Sequence, residues 1–350
     1  MAGQIPVWVD CDPGHDDAFA IILAAQHPAF NLLGVSTIHG NTSLKKTTIN
    51  ALSVLTALKR TEVPVYQGTP KPFCREHPQW GSDVHGESGI DGAEDLPKPA
   101  VGPRTDKHAV IAMRDALLAQ PPNTAWLVLL GSFTNIALLM AMYPEVADYI
   151  KGLTIMGGSI GGGFTKAPPG HRTGEADRVG NSTLWAEFNA FCDPEASRAI
   201  FSNPRLNIKT TLIPLDVTHL VLIKEEVLDL MKNGPPGQKR NTEAKTRKIF
   251  TDLLKFFRGE YQRIHNLDGP LHDPIAVAVI LEDEGVEKID FDYNGGERFS
   301  IDLVLEGEQI GRTVATKLHT GEQGVRIPRG LNVPKFWRVL EGALSVSDKN

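Results

Sequence analysis

Four aspartates, Asp10, Asp12, Asp16 and Asp17, crowd into eight residues in the run VDCDPGHDD. Carboxylates packed this closely repel one another unless a cation sits among them. Oxygen-only donors select a hard ion, Ca²⁺ or Mg²⁺, over zinc. The plain alternative is a solvated acidic turn that caps the next helix, because helix N-termini favour acids. A cap needs no DxDPGxDD order, so the order itself speaks for a cation. Asp10 is the member expected to point under the sheet.

Four later segments carry further chemistry. HGN, His39 to Asn41, follows an apolar strand, and Asn41 offers a neutral oxygen or a hydroxyl contact. By itself it is an ordinary turn. In LLGSFTNIA, Leu129 to Ala137, a strand ends at Leu130, whose backbone carbonyl can face a bound cation. In AEFNAFCDPEA, Ala186 to Ala196, Glu187 and Asn189 flank Phe188, with Asn181 shortly before. An extended segment would set Glu187 and Asn189 on one face, a pair suited to adjacent sugar hydroxyls. A charged surface loop is the alternative. In GPLHDPIA, Gly269 to Ala276, Asp273 is expected to cap a helix that starts at Pro274. His272 beside it is a candidate proton donor, since histidine titrates near neutrality.

The elements that must position these residues alternate in type. Strands are expected at 5–9, 31–36, 62–66, 125–130, 152–156 and 207–213. Helices are expected at 18–25, 44–58, 106–119 (capped by Asp106), 133–141 and 193–201 (capped by Asp193). Such alternation means an α/β fold, an open, mostly parallel Rossmann-like sheet with helices on both faces. Ligands in such sheets bind beyond the carboxyl ends of the strands, where the motifs above lie. The last third adds helices near 242–265, 273–281 and 334–345 and strand-like segments at 298–305 and 311–317. No linker separates these pieces, so residues 1–350 are expected to form a single domain. The Gly/Pro-rich stretch at 157–181 is expected to be a mobile loop.

Composition narrows the class. The 41% hydrophobic and 22% charged residues are those of a globular domain, and a net charge of −6 argues against nucleic acid or an anionic membrane as partner. Three scattered cysteines, Cys11, Cys74 and Cys192, form neither a disulfide framework nor a zinc site. No apolar run approaches the roughly 18 residues a membrane span needs. A cytoplasmic location is the expectation.

Taken together, VDCDPGHDD, HGN, TNIA, the MGG at 156–158, AEFN and LHDP resemble the inosine-uridine-preferring nucleoside hydrolase family, over nearly the whole chain and in the same order. Within it the chain looks most like eukaryotic uridine-cleaving or base-nonspecific members. The resemblance implies a nucleoside hydrolase fold and Ca²⁺ as cofactor. It implies that Asp12, Asp17 and Asp273 ligate the ion together with the Leu130 carbonyl, and that Asp12 also acts on the nucleophilic water. It places Asp16, Asn41, Met156, Asn181, Glu187 and Asn189 around the ribose, with Phe188 packed nearby. His85 falls at a base-side histidine on a closing loop, His272 at the leaving-group acid, and Tyr261 among helical tyrosines near the base. Homodimers or homotetramers are implied as well.

The expected reaction is hydrolysis of a ribonucleoside, uridine or inosine, to ribose and free base. Three rivals remain. A phosphohydrolase of the haloacid-dehalogenase type would use Asp10 as nucleophile in its DxD. A nucleotide-binding oxidoreductase would use the glycines at 157–163, although no acidic ribose partner follows them. A non-catalytic nucleoside-binding protein would keep the site without the chemistry.

Overall fold

The computed structural model describes residues 3–76, 82–170, 175, 178–238 and 244–348. Six strands form one parallel sheet. They are β1 (Ile5–Cys11), β2 (Phe30–Thr37), β3 (Val65–Gln67), β4 (Trp126–Leu129), β5 (Gly152–Met156) and β6 (Thr210–Ile213). Their order is β3-β2-β1-β4-β5-β6. These strands are short apolar runs because both of their faces are covered, as parallel sheets require. Alternate residues feed two separate cores: Val7, Val9 and Val128 point to one face, and Trp8, Leu127 and Leu129 to the other.

The first face is covered by the helices His15–Gln26, Lys245–His265, Pro274–Asp283 and Val333–Ser347. Ala109–Leu118, Thr134–Met142 and Pro194–Phe201 cover the second. Every residue of His15–Gln26 is buried, which explains why the stretch 18–25 is apolar all round. The order of strand addition reverses between β1 and β4, which pair in parallel with Asp10 opposite Leu129. That switch point opens a crevice at the carboxyl edge. Cys11 ends β1 and Leu129 ends β4, so Asp12 and Leu130 arrive there side by side.

The structure meets some of these expectations and corrects others. The strand-like segments near the C-terminus form their own antiparallel hairpin, β7 (Phe299–Leu303) with β8 (Thr313–Lys317), outside the main sheet. The helix expected from 106 starts at Ala109, and its cap is His108, whose Nδ1 accepts from the Val110 N–H at 3.3 Å. Asp106 instead meets Arg104 at 3.2 Å. The strand expected from 207 begins at Thr210, because Pro204–Asn207 makes a helical turn first. The helix expected from 18 begins at His15 and takes Asp16 and Asp17 into its first turn. Asp193 does cap its helix, accepting from the Ala196 N–H at 3.0 Å. In the Gly/Pro-rich stretch, Asp216 anchors the Ile160 and Gly161 N–H groups at 2.7 and 2.9 Å. The remainder of that stretch at 171–174, 176 and 177 lies outside the described residues.

Candidate active site

A cavity of about 330 Å³ opens at the switch point. Its floor is acidic. Asp17, third residue of the first helix, accepts from the Gly14 N–H at 2.9 Å and the Asp12 N–H at 3.2 Å. It therefore caps its own helix, yet it is 1% exposed, so the solvated-turn reading fails. Oxygens of Asp16, Asp17 and Asp273 lie within 4.8 Å of one another. Asp12 sits just beneath. Its Oδ2 accepts from the Asn41 N–H at 2.6 Å, and its Oδ1 faces the turn at Gly131, where a Cβ would come within 2.6 Å. The tightest acidic trio thus contains Asp16 where the resemblance places Asp12.

Asp273 does not cap its helix. It makes no capping hydrogen bond, and its Oδ1 meets no hydrogen-bond partner among the described residues. The same holds for Asp12 Oδ1 and Asp16 Oδ1. Burial, and then mutual repulsion with Asp17, push the Asp12 and Asp16 carboxyls well above the usual range. Asp17 rises to about 6, with burial again the largest cause. Orphaned, buried acids that cannot all ionise together are the donor set a hard divalent cation completes. The residues fit such an ion.

The wall beyond the floor is polar and tightly oriented. Glu187 is not extended beside Asn189, as the sequence pattern suggested. It is the N-cap of a short helix, Phe188–Cys192, and takes N–H groups from Gly158, Asn189 and Ala190 at 2.7, 2.8 and 3.0 Å. Capping brings Glu187 and Asn189 to the cavity together nonetheless. The Asn189 amide donates to the Leu130 carbonyl at 2.7 Å and the Met156 carbonyl at 3.2 Å, tying the ends of β4 and β5 to this helix. Asn181 accepts from the Phe188 N–H at 2.9 Å, which leaves its NH₂ as the donor. Asn41 donates to the Asp12 carbonyl at 3.1 Å, which leaves its own oxygen as the acceptor.

The opposite end is built of rings. His85 lies on a one-turn helix, Ser82–His85, stacked on Phe257 at 5.5 Å and on His15 at 5.2 Å. Its Nδ1 meets His15 Nδ1 at 3.0 Å. Gly14 permits this approach, since a Cβ there would fall 2.6 Å from the His85 ring. Tyr261 and His272 also line the cavity. The Nδ1 of His272 meets the Thr218 hydroxyl at 2.7 Å and its Nε2 the Tyr261 hydroxyl at 3.0 Å, so both ring nitrogens are engaged. Burial, reinforced by the neighbouring His219, His85 and His265, holds its pKa well below the usual histidine value.

All the expected site residues therefore converge, although Asp12 and Asp17 lie under the cavity floor rather than on its lining. Asp10 stays outside. It is buried beneath the sheet edge, accepts from Asn135 at 2.8 Å and from Ser36, and is raised to about 7 chiefly by burial. A nucleophile so enclosed cannot serve a phosphohydrolase. The glycines at 157–163 run into a loop rather than a helix, so a dinucleotide-binding turn is absent as well.

The model of the inosine-uridine preferring nucleoside hydrolases matches residues 7–338. The chain belongs to this family. It is thus a hydrolase, a glycosidase of the ribonucleoside class. The hydrolase is 36% identical to the uridine nucleosidase of Saccharomyces cerevisiae, over 99% of this chain and 97% of that protein. It is 32% identical to the pyrimidine-specific ribonucleoside hydrolase RihB of Escherichia coli, over 95% of each. Its fold matches the purine-preferring ribonucleoside hydrolase from Gardnerella vaginalis with a TM-score of 0.79, at 24% identity, over 99% of this chain and 100% of that one.

Sequence reasoning missed the residues that back the site. His15 lies inside the DPGHDD run, so its position was available, but its partner His85 is 70 residues away. Thr218 and His272 are 54 residues apart, and no local pattern pairs them. Phe257 and His265 join the ring-lined end from the helical face that also presents Tyr261, and that periodicity was the available signal.

Proposed function

We propose that this hydrolase cleaves the N-glycosidic bond of ribonucleosides, uridine foremost, with Ca²⁺ held by Asp12, Asp17, Asp273 and the Leu130 carbonyl. The observation that carries this reading is the set of buried, unpartnered carboxylate oxygens at the switch point. When bound, the cation supplies Lewis acidity toward water and toward two sugar hydroxyls. The choice of uridine is supported by the names of the yeast and bacterial relatives.

The chain's own groups carry the remaining tasks. Asp12, whose Oδ1 meets no hydrogen-bond partner among the described residues, is to take the proton of the attacking water. Asp16, Asn41 and Asn189 orient the diol, while Asn181, Glu187 and the Met156 edge hold the far side of the sugar, with Phe188 packed beside it. Fixing both partners this way lowers the entropic cost of attack. As C1′ separates from the base, positive charge grows on the sugar, and the acidic floor stabilises it.

The leaving base needs a proton at the ring-lined end. The Thr218 hydroxyl lies 2.7 Å from His272 Nδ1 but 3.4 Å from the Leu215 carbonyl, so the shorter bond is the one it donates. The ring proton of His272 then sits on Nε2 and faces the Tyr261 oxygen. Tyr261 becomes the group that donates to the base, and the His272 N–H stabilises the phenolate that results. His85, stacked on His15 and Phe257, closes that end.

The deciding experiment is kcat/KM on uridine, cytidine, inosine, adenosine and 2′-deoxyuridine, with and without a chelator. Uridine cleavage that stops on chelation and returns with Ca²⁺ is the expected result. 2′-Deoxyuridine should be poor, because a site built for a hydroxyl is left with unpaired groups. Full activity after chelation would overturn the reading. We also propose a cytoplasmic homodimer or homotetramer, to be checked by light scattering and by fractionation. Among the described residues no helix is long and apolar enough to cross a membrane.

A further inference from the structure

The ring-lined end of the active cavity does not stop at Tyr261. A second cavity of about 470 Å³ shares Asn181, Tyr261 and His265 with the first. Its roof is the segment 161–170, which Asp216 and His219 hold down. Asp216 anchors the start of the segment through backbone N–H groups, and Thr165 donates to the Asp216 carbonyl. His219 Nδ1 lies 3.0 Å from the Pro168 carbonyl.

Two residues on this cavity's wall each carry a buried polar atom with no hydrogen-bond partner among the described residues: His219 Nε2 and Trp185 Nε1. Their roles follow from valence. The Pro168 carbonyl can only accept, so the His219 proton is on Nδ1. Burial keeps the ring's pKa below the usual value, and the ring is neutral. His219 Nε2 is then a bare acceptor, while the Trp185 indole can only donate. Leaving such atoms unpaired in a folded protein is costly. Arg178, the one arginine or lysine lining this cavity among the described residues, is committed to Glu175 and to the Gly180 and Thr183 carbonyls. The described part of the wall thus suits a neutral group bearing an N–H and an acceptor.

The edge of a nucleobase has that chemistry. The His219 ring lies 5.8 Å from the His272 ring, at the end of the active site where the base must leave. We propose that this second cavity is a base-reading chamber, in which His219 Nε2 accepts from an N–H of the nucleobase edge and Trp185 Nε1 donates to its neighbouring acceptor. The inference rests on the ribonucleoside reading above and specifies which protein atoms read the base.

The test compares each substrate with an analogue whose edge N–H is methylated: uridine with 3-methyluridine and inosine with 1-methylinosine. p-Nitrophenyl riboside, which has no base edge, is the control. The wild type should disfavour the methylated partner by about 10- to 100-fold in kcat/KM, the cost of an unpaired buried acceptor. His219→Phe should lose about tenfold on the unmethylated nucleoside, bring that ratio close to one, and keep its rate on p-nitrophenyl riboside. Trp185→Phe, which preserves a ring under Arg312, should likewise slow nucleosides and spare the control. The same methylation ratio in wild type and His219→Phe would overturn the chamber, and so would equal losses on the control. A ratio that moves only for 5′-deoxyuridine against uridine would assign the cavity to the sugar's 5′ side and overturn it too. Wild-type enzyme that cleaves neither uridine nor p-nitrophenyl riboside would remove the ribonucleoside reading itself, an outcome distinct from failure of the chamber.

Discussion

Asp12 and Asp16 have different partners in the proposed complex, and single substitutions separate them. Asp12→Ala should abolish calcium binding and turnover together, with a loss of at least about 10³-fold, because a ligand and the base disappear at once. Asp16→Ala should retain calcium in titration calorimetry while losing affinity for the sugar. Loss of calcium in Asp16→Ala with retention in Asp12→Ala would instead make the close trio of Asp16, Asp17 and Asp273 the ligand set. The ring-lined end has its own test. Tyr261→Phe and His272→Ala should each slow uridine hydrolysis by about 10²–10⁴-fold, the usual cost of removing an acid. Both should spare p-nitrophenyl riboside, whose phenolate leaves unaided. Equal losses on both substrates would mean a damaged site, and the proton role would be dropped.

At the scale of elements, two charge clusters fasten the periphery to the core. Arg247, 1% exposed, binds Glu341 at 3.0 Å, Asp348 at 2.6 Å and the Met231 carbonyl at 2.6 Å. It locks the helix that carries Tyr261 to the C-terminal helix. Arg247→Ala strands buried carboxylates and should cost about 3–5 kcal/mol in chemical unfolding. A loss below about 1 kcal/mol, the value of a surface pair, would show that the cluster is not sealed from water. On the β7–β8 hairpin, burial alone would raise the Glu297 carboxyl, but hydrogen bonds from Lys317 and Arg329 outweigh it and hold the pKa near 2. A depressed folded pKa stabilises above the unfolded value and loses that contribution as pH falls through the folded one. Glu297→Gln should therefore lower Tm at neutral pH, and the gap should close between pH 4.5 and 2. A gap that is independent of pH would show that the carboxylate charge is not the source.

For the whole molecule, the acidic floor makes folding and ion binding one equilibrium. Each buried carboxylate that ionises only with a cation present destabilises the empty protein. Calcium at a hundredfold excess over its Kd should add about 2.7 kcal/mol, which for a chain of this size raises Tm by roughly 4 °C. Asp17→Asn should abolish the rise. An unchanged Tm in the wild type on adding calcium would mean that the cluster holds no ion.

Much of this arrangement was legible in the sequence, because it is encoded locally. Apolar runs of strand length, separated by helical patterns, specify a parallel sheet covered on both faces. The DPGHDD run sets Asp17 where it caps its own helix. The order of the motifs places each one at a strand's carboxyl end. The tertiary structure decided the rest. Glu187 reads as extended by alternation, but its cap on Asn189 and Ala190 is a folded geometry that side-chain period alone does not reveal. Asp273 before Pro274 has every local mark of a cap, yet packing turns its carboxylate toward Asp16 and Asp17 instead. Asp10 and Asp12 are equivalent by type and only two residues apart. One lies beneath the sheet against Asn135, 125 residues away, and the other meets the site through Asn41. His15 with His85 and Thr218 with His272 are joined across the same kind of distance. Local spacing determines which face of an element a residue occupies. What that face meets, and how far burial moves its protons, depends on the packing of elements remote in the chain.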